Sequence, residues 1–182
     1  MHTESDRDRL LDAAELLFYE RGYQTVGMDA LRAASQLSLK RIYALFDSKE
    51  SIAVAMLNRR DERWHASLAA HVARTAQPVD RVLAVFDWLA GWLAADGHRG
   101  CAWVNAFGEL GATSPAVAEA VRRHKARLHA FVAGLVTAAD GSPDTAAGIL
   151  LLIEGAIVTA GISGGTGSVE SGKSAAGRLL IP

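Results

Sequence analysis

From Ser5 to Leu180 the 182-residue sequence is laid out as runs in which apolar residues recur three or four positions apart, parted by short breaks rich in Gly, Pro and Ser. That spacing gathers the apolar side chains on one side of an α-helix, whereas a half-buried strand would need them at every second position. No series of strands can be read anywhere in the chain, so helix is expected to pack on helix. Half of the residues are hydrophobic, enough for a substantial core. With only four prolines and abundant alanine, the helices have little to interrupt them. The expected fold class is all-α, with about nine helices.

The first run is Ser5 to Arg21, with Leu10, Ala14, Leu17 and Phe18 on one face, Asp6, Asp8 and Asp12 suiting the N-terminal turns, and Gly22 as its stop. Thr25 lies in a short polar link before a second helix, Met28 to Ser35. After a tight turn at Gln36 and Leu37, Ser38 is a good N-cap for a third helix that ends at Leu45 or Phe46. Asp47 or Ser48 caps a fourth, reaching about Thr75. Val79 to Ala95, Cys101 to Leu110, Pro115 to about Ala139 and Pro143 to about Ala160 follow, with clear breaks at residues 96–100 and 140–142. The eighth helix is apolar nearly all round, which predicts burial on several sides, within the subunit or against a second copy. Gly161 to Gly172 reads as a glycine- and serine-rich loop, followed by a short final helix to Leu180.

Net charge is −1, so the chain as a whole offers nothing to a polyanion, and any nucleic-acid binding has to be local. The single cysteine, Cys101, cannot form an internal disulfide and suits a reducing compartment. Met1 to Arg9 is polar and charged, unlike a secretory signal, and no uninterrupted apolar run reaches the length of a bilayer span. These features lead us to expect a cytoplasmic location and no membrane partner.

Locality is what the charge pattern shows. Arg32, Lys40, Arg41 and Lys49 stand against one acid, Asp47, between residues 32 and 49, while the preceding helix is acid-rich and would face away from DNA. Two short helices joined near Gln36 have the dimensions of a helix-turn-helix, over about residues 27–46. Lys40 and Arg41 have the chemistry to read guanine O6 and N7, and a helix this short needs phosphate contacts to set its register.

Residues 9–50 carry Ala14, Phe18, Gly22, Thr25, Tyr43, Phe46 and Lys49 at fixed spacing, and in this they resemble the N-terminal domain of TetR/AcrR-type transcriptional regulators. The resemblance implies a DNA-binding domain of three helices in residues 1–50 and a larger helical body in residues 51–182 that binds a small effector and dimerises. It further implies that Leu39, Lys40 and Arg41, behind the Ser38 cap, face base edges, that Tyr43 and Lys49 hold the DNA backbone, and that Thr25 contacts a phosphate. Where the family usually has glycine in the turn, this chain has Gln36. A left-handed conformation kept there would cost on the order of 1 kcal/mol relative to glycine.

The body carries Trp64, Phe86, Trp88, Trp92, Trp103 and Phe107 as a concentration of aromatic surface, with Asn105 and Glu109 one turn apart and able to orient a polar group. These residues are candidates for lining an effector cavity that takes a largely apolar or aromatic molecule. For each aromatic the alternative is ordinary core packing. Leu150, Ile153, Ile157, Leu179 and Leu180, with Ile181, are candidates for a homodimer interface, which the resemblance implies is a four-helix bundle from two subunits. Cys101 has His98 and Arg99 beside it as possible activators of a redox-sensing thiol, and the alternative is a small buried residue.

One motif competes. Residues 167–174, Gly-Ser-Val-Glu-Ser-Gly-Lys-Ser, satisfy the phosphate-loop pattern, in which backbone N–H groups cradle phosphates, the lysine pairs with them and the serine holds magnesium. That chemistry needs a parallel strand before it and a sheet around it, and neither can be read here. The alternatives to a regulator are thus a nucleotide-binding protein using this loop, or a helical protein-interaction module. His124 and His129 are five apart and do not share a helical face, so no metal site is expected; nor does any nucleophile–base or carboxylate pair have the spacing for catalysis. No cofactor is expected. The function expected is that of an operator-binding dimer, a repressor released by its effector.

Overall fold

The computed structural model describes residues 5–180 and contains nine α-helices among them. They are α1 (Asp6–Arg21), α2 (Met28–Ser35), α3 (Leu39–Leu45), α4 (Lys49–Val72), α5 (Pro78–Ala95), α6 (Ala102–Leu110), α7 (Pro115–Ala138), α8 (Pro143–Ser163) and α9 (Gly167–Leu179). Their starts follow the local chemistry. The Ser5 Oγ accepts from the Asp8 N–H at 3.1 Å, Ser38 Oγ from Arg41 N–H at 3.2 Å, and Ser142 Oγ from Thr145 N–H at 3.0 Å. Each serine satisfies an N–H that the first turn leaves without a carbonyl. Pro78, Pro115 and Pro143 open α5, α7 and α8, where a missing N–H costs nothing.

The chain gathers into two compact units, each built from two separate stretches of sequence. The first comprises the residues up to Glu62 together with Ala102–His124. Leu10, Ala14, Phe18, Tyr23, Val26, Leu31, Ile42 and Ile52 are buried at its centre, gathering α1, α2, α3 and the start of α4 around one core. The acidic face of α1 meets arginines of α4: Arg59 Nη2 lies 2.5 Å from Asp12 Oδ1, and Arg60 Nη1 lies 2.6 Å from Glu15 Oε1.

The second unit comprises Arg63–Cys101 and the residues from Lys125 onward. There α8 and α9 pack together and both lie on α5. This unit differs from the sequence expectation in two places. First, the segment expected as a loop over 161–172 is mostly helical. α8 continues to Ser163, Gly164 turns the chain with φ +74°, and α9 begins at Gly167. Gly172 explains why a glycine-rich stretch folds this way: a Cβ there would stand 3.0 Å from the Phe86 ring, so the missing side chain lets α9 lie close on α5. Propensity argued for a loop, and close packing overrode it. Second, α8 is by length and composition apolar enough to cross a membrane, although an uninterrupted apolar run cannot be found in it. Ile149, Ile153, Ala156, Ile157 and Ala160 are buried, while Leu151, Val158 and Ile162 stand exposed on the opposite side.

Candidate nucleic-acid interface

α3 has seven residues and only Ile42 among them is buried. With that one side chain fixed in the core of the first unit, the helix must turn the rest of its circumference outward. Leu39, Lys40, Arg41 and Tyr43 are accordingly exposed, with Tyr43 at 51 %. Ser38, exposed as well, is occupied in capping the helix through the Arg41 N–H. α2 is pinned behind it by Leu31, fully buried, and by Ser35, whose hydroxyl donates to the Leu31 carbonyl at 2.6 Å. Gln36, between the two helices, holds φ 57° and ψ 28°, the left-handed conformation in which glycine would be unstrained. Leu37 beside it is buried, so the turn is held by packing.

The two remaining nominated residues are differently occupied. Thr25 is exposed, and its hydroxyl donates to the Arg21 carbonyl at 2.5 Å, closing the link after α1. Lys49 is only half-exposed, and its ammonium donates to the carbonyls of Tyr23 and Val26, each at 2.9 Å. Lys49 therefore secures the α1–α2 link, and the backbone role expected for it is left one N–H.

Several residues of the surface carry no signal that spacing could reveal. Arg41 Nε donates to Asp6 Oδ2 at 2.7 Å, and Asp6 also takes Arg9. The hydrogen bond from Arg41, followed by that from Arg9, holds the Asp6 carboxyl below the usual carboxylate range. Arg7 lies over the Phe46 ring, 4.4 Å from its centroid. Glu109, a candidate for orienting a ligand, is already engaged: its carboxylate accepts from the Gln24 N–H at 3.0 Å while the Gln24 side chain donates to its backbone carbonyl at 2.8 Å. The same carboxylate lies 3.1 Å from where a Cβ on Gly22 would stand, and Gly22 has φ +87°. Glu109 thus clasps the link that precedes α2.

The aromatic candidates do not form one group. Trp64, Trp88 and Trp92 cluster in the second unit, Trp64 edge-on to Trp88 at 4.8 Å and to Trp92 at 5.9 Å, and Trp88 Nε1 donates to Ser67 at 3.0 Å. Phe86 is fully buried under α9. Trp103 belongs to the first unit, stacked on His124, which is hydrogen-bonded to Asp61 at 2.6 Å. Phe107 is half exposed, and Asn105 is half-buried. Among the dimer candidates, Ile153, Ile157 and Leu180 are buried within their own subunit, which takes them out of any surface; Leu150 is half-buried and Leu179 is 47 % exposed. Ile181 lies outside the described residues. The exposed apolar stripe is Leu151, Val158 and Ile162, on the other side of α8.

Cys101 is buried, and the charged group at hydrogen-bond distance from it is Lys125, with Nζ 3.5 Å from the sulfur. Burial works against the Lys125 charge, but the Cys101 sulfur and the Glu154 carboxylate outweigh it and raise its pKa. Glu154 takes the ammonium with both oxygens, at 2.8 and 2.6 Å. The phosphate-loop pattern falls inside α9, so its N–H groups lie along a helix and form no cradle, and Lys173 pairs with Asp87 at 2.5 Å.

Comparison with known proteins agrees with this arrangement. Residues 10–56 match the family model described as bacterial regulatory proteins, tetR family, and residues 78–169 match that of the tetracyclin repressor-like C-terminal domain. An uncharacterized HTH-type transcriptional regulator of Mycobacterium tuberculosis is 35% identical over 81 residues, 44% of this chain and 40% of that protein. The HTH-type transcriptional repressor ComR of Escherichia coli is 30% identical over 124 residues, 65% of this chain and 58% of that protein. The matches therefore span about half the length of these curated relatives. Among solved structures, the TetR-family regulator SCO4454 of Streptomyces coelicolor superposes with a TM-score of 0.87 at 26% identity, covering 96% of this chain and 94% of that one. The reduced form of E. coli NemR superposes at 0.84 and 23% identity, over 96% and 97%.

Proposed function

The chain belongs to the TetR family of bacterial regulatory proteins, and from that premise we propose that it is a ligand-responsive repressor that grips operator DNA as a homodimer. The observation that carries this reading is the outward set Leu39, Lys40, Arg41 and Tyr43 on a helix of seven residues fixed by one buried isoleucine. A helix of that size enters a major groove with only its first turns, so two copies are needed to cover an operator. The exposed Leu151, Val158 and Ile162 on α8, with Leu179 on α9, give the second copy an apolar surface to cover.

Release follows from a population shift: an effector that binds a spacing of the reading heads unfit for adjacent grooves lowers operator affinity by its preference for that state. The tryptophan cluster of the second unit supports an apolar or aromatic effector. Such a repressor works in the cytoplasm, where its operator is. The test is binding of the purified protein to its own upstream region against random duplex over a range of salt. The native chain is expected to prefer its own fragment, more strongly at low salt. Replacing Lys40 and Arg41 together by Ala should weaken operator binding about a hundredfold with the fold intact. Equal affinity for both duplexes would overturn the reading.

A further inference from the structure

The first unit contains a pocket of about 150 Å³ whose lining includes Phe18, Tyr23, Lys49, Glu50 and Ala53. None of the residues nominated from the sequence for effector binding is among them. We propose that it is a second small-molecule site, for a neutral one-ring aromatic bearing a hydroxyl group, such as a phenol.

The volume sets the size of the ligand. A pocket of about 150 Å³ has room for a single benzene-sized ring. Phe18 and Tyr23 stack with centroids 4.9 Å apart and give an aromatic wall, and Ala53 and Leu110 add aliphatic surface. A flat ring fits such a wall in an offset or edge-on arrangement.

The polar lining sets its charge. Lys49 spends two N–H groups on the carbonyls of Tyr23 and Val26 and keeps one to give. Glu50 receives the hydroxyl of Ser114, which also caps α7 by accepting from the Val117 N–H at 3.1 Å. The remaining carboxylate lone pairs accept a donor. A carboxylate drawn to Lys49 would also face Glu50, and an ammonium drawn to Glu50 would also face Lys49, so either charge meets one opposing wall. A phenol hydroxyl both accepts and donates, so a neutral ring alone suits both walls, and burying it leaves no uncompensated charge. The site stands on geometry and does not depend on operator binding.

The probe is 4-fluorophenol, followed by fluorine NMR on the full chain, with 4-fluorobenzoate and 4-fluorobenzylamine as charged counterparts. Saturable binding with Kd of about 0.1–1 mM is expected for a ring of this size. Both charged probes should bind at least tenfold more weakly. Ala53→Leu fills the cavity and should abolish phenol binding while circular dichroism and Tm stay near native. Should that variant fail to fold, Glu50→Gln decides the matter: the exposed residue keeps an acceptor for Ser114 but loses its charge, and benzoate should now bind within threefold of phenol. The proposal is overturned by no saturable phenol binding, by unchanged binding in folded Ala53→Leu, or by native protein taking benzoate as tightly as phenol.

Discussion

The two compact units are held together by different means. In the first, long polar side chains reach across to backbone or to acids: Lys49 to the carbonyls of Tyr23 and Val26, Gln24 and Glu109 to each other, and Arg59 and Arg60 to the carboxylates of α1. In the second, beside polar pairs such as Lys125 with Glu154, side chains are left out: Gly172 admits the Phe86 ring, and Gly161 lies against Gly100. The first device positions a link that must hold α2 and α3 ready at the surface, where apolar area is scarce. The second brings helices and loop into contact at distances no Cβ would permit, which suits an interior. A polar reach tolerates small displacement, and a steric fit does not.

The sharpest attempt to break the contrast is Gly161→Ala. A Cβ there would lie 2.7 Å from the Gly100 Cα and 2.8 Å from its nitrogen, atoms of backbone that cannot rotate away. Overpacking costs about 1–3 kcal/mol, and here the upper end applies, against about 1 kcal/mol gained in helix propensity. A net loss of about 2 kcal/mol is expected, or a fall in Tm of about 4–8 °C. Gly134→Ala, with nothing within 4 Å, is the control and should gain up to about 1 kcal/mol. Equal melting of both variants would mean the second unit is not held by close approach.

For the first unit the corresponding change is Lys49→Met, which keeps the aliphatic stem and removes the ammonium. Two carbonyls then lose their donor, at a cost of about 1–2 kcal/mol in denaturant unfolding. If stability were untouched while operator binding lost about one unit of salt slope, Lys49 would be a phosphate contact first and a strut second.

Much of this was legible in the sequence, and the division between legible and hidden follows the same contrast. Helix starts at Ser38, Pro115 and Pro143 were readable because what opens a helix is a local event, whereas the Ser142 cap, inside a stretch read as a turn, was not. Of the positions that carry the family resemblance, Ala14, Phe18 and Phe46 are buried in the first unit and Gly22 takes a positive φ, so the motif marks how the head is built as much as what it touches. Pairings such as Gln24 with Glu109, or Arg41 with Asp6, join residues far apart in the chain and leave no periodic trace. α9 was hidden for a different reason: its glycines lower helix propensity, and their purpose is visible only once Phe86 lies against Gly172. The same blindness misplaced the apolar stripe of α8, since a helix hydrophobic all round does not tell which side its own subunit covers.

A smaller effect probes the turn. Gln36 holds a left-handed conformation that costs a non-glycine residue about 1–2 kcal/mol, while glycine gives back part of that through the freedom of its unfolded chain. Gln36→Gly should therefore stabilise the protein by about 0.5–1 kcal/mol without altering operator preference. A loss of stability would show that the Gln36 side chain contributes more than its backbone costs.

The smallest expected effect is also the one nearest to function. Asp6 is held below its ordinary pKa of 3.8, first by the hydrogen bond from Arg41 and then by that from Arg9. A group lowered in the folded state contributes stability that is present above the unfolded value and is lost as pH falls through the folded one. The Asp6 carboxyl resonance should accordingly titrate with a midpoint below 3.8, and Arg41→Ala should move it back toward that value more than Arg9→Ala does. Arg41 is exposed and Asp6 half-buried, so salt should still weaken the pair. Under the proposed function that weakness would suit a reading helix, since so weak a pair would orient Arg41 and still release it to a phosphate or a guanine at little cost. A midpoint insensitive to Arg41→Ala would mean that Arg41 already stands free, and that the first unit's polar contacts stop short of its DNA-facing edge.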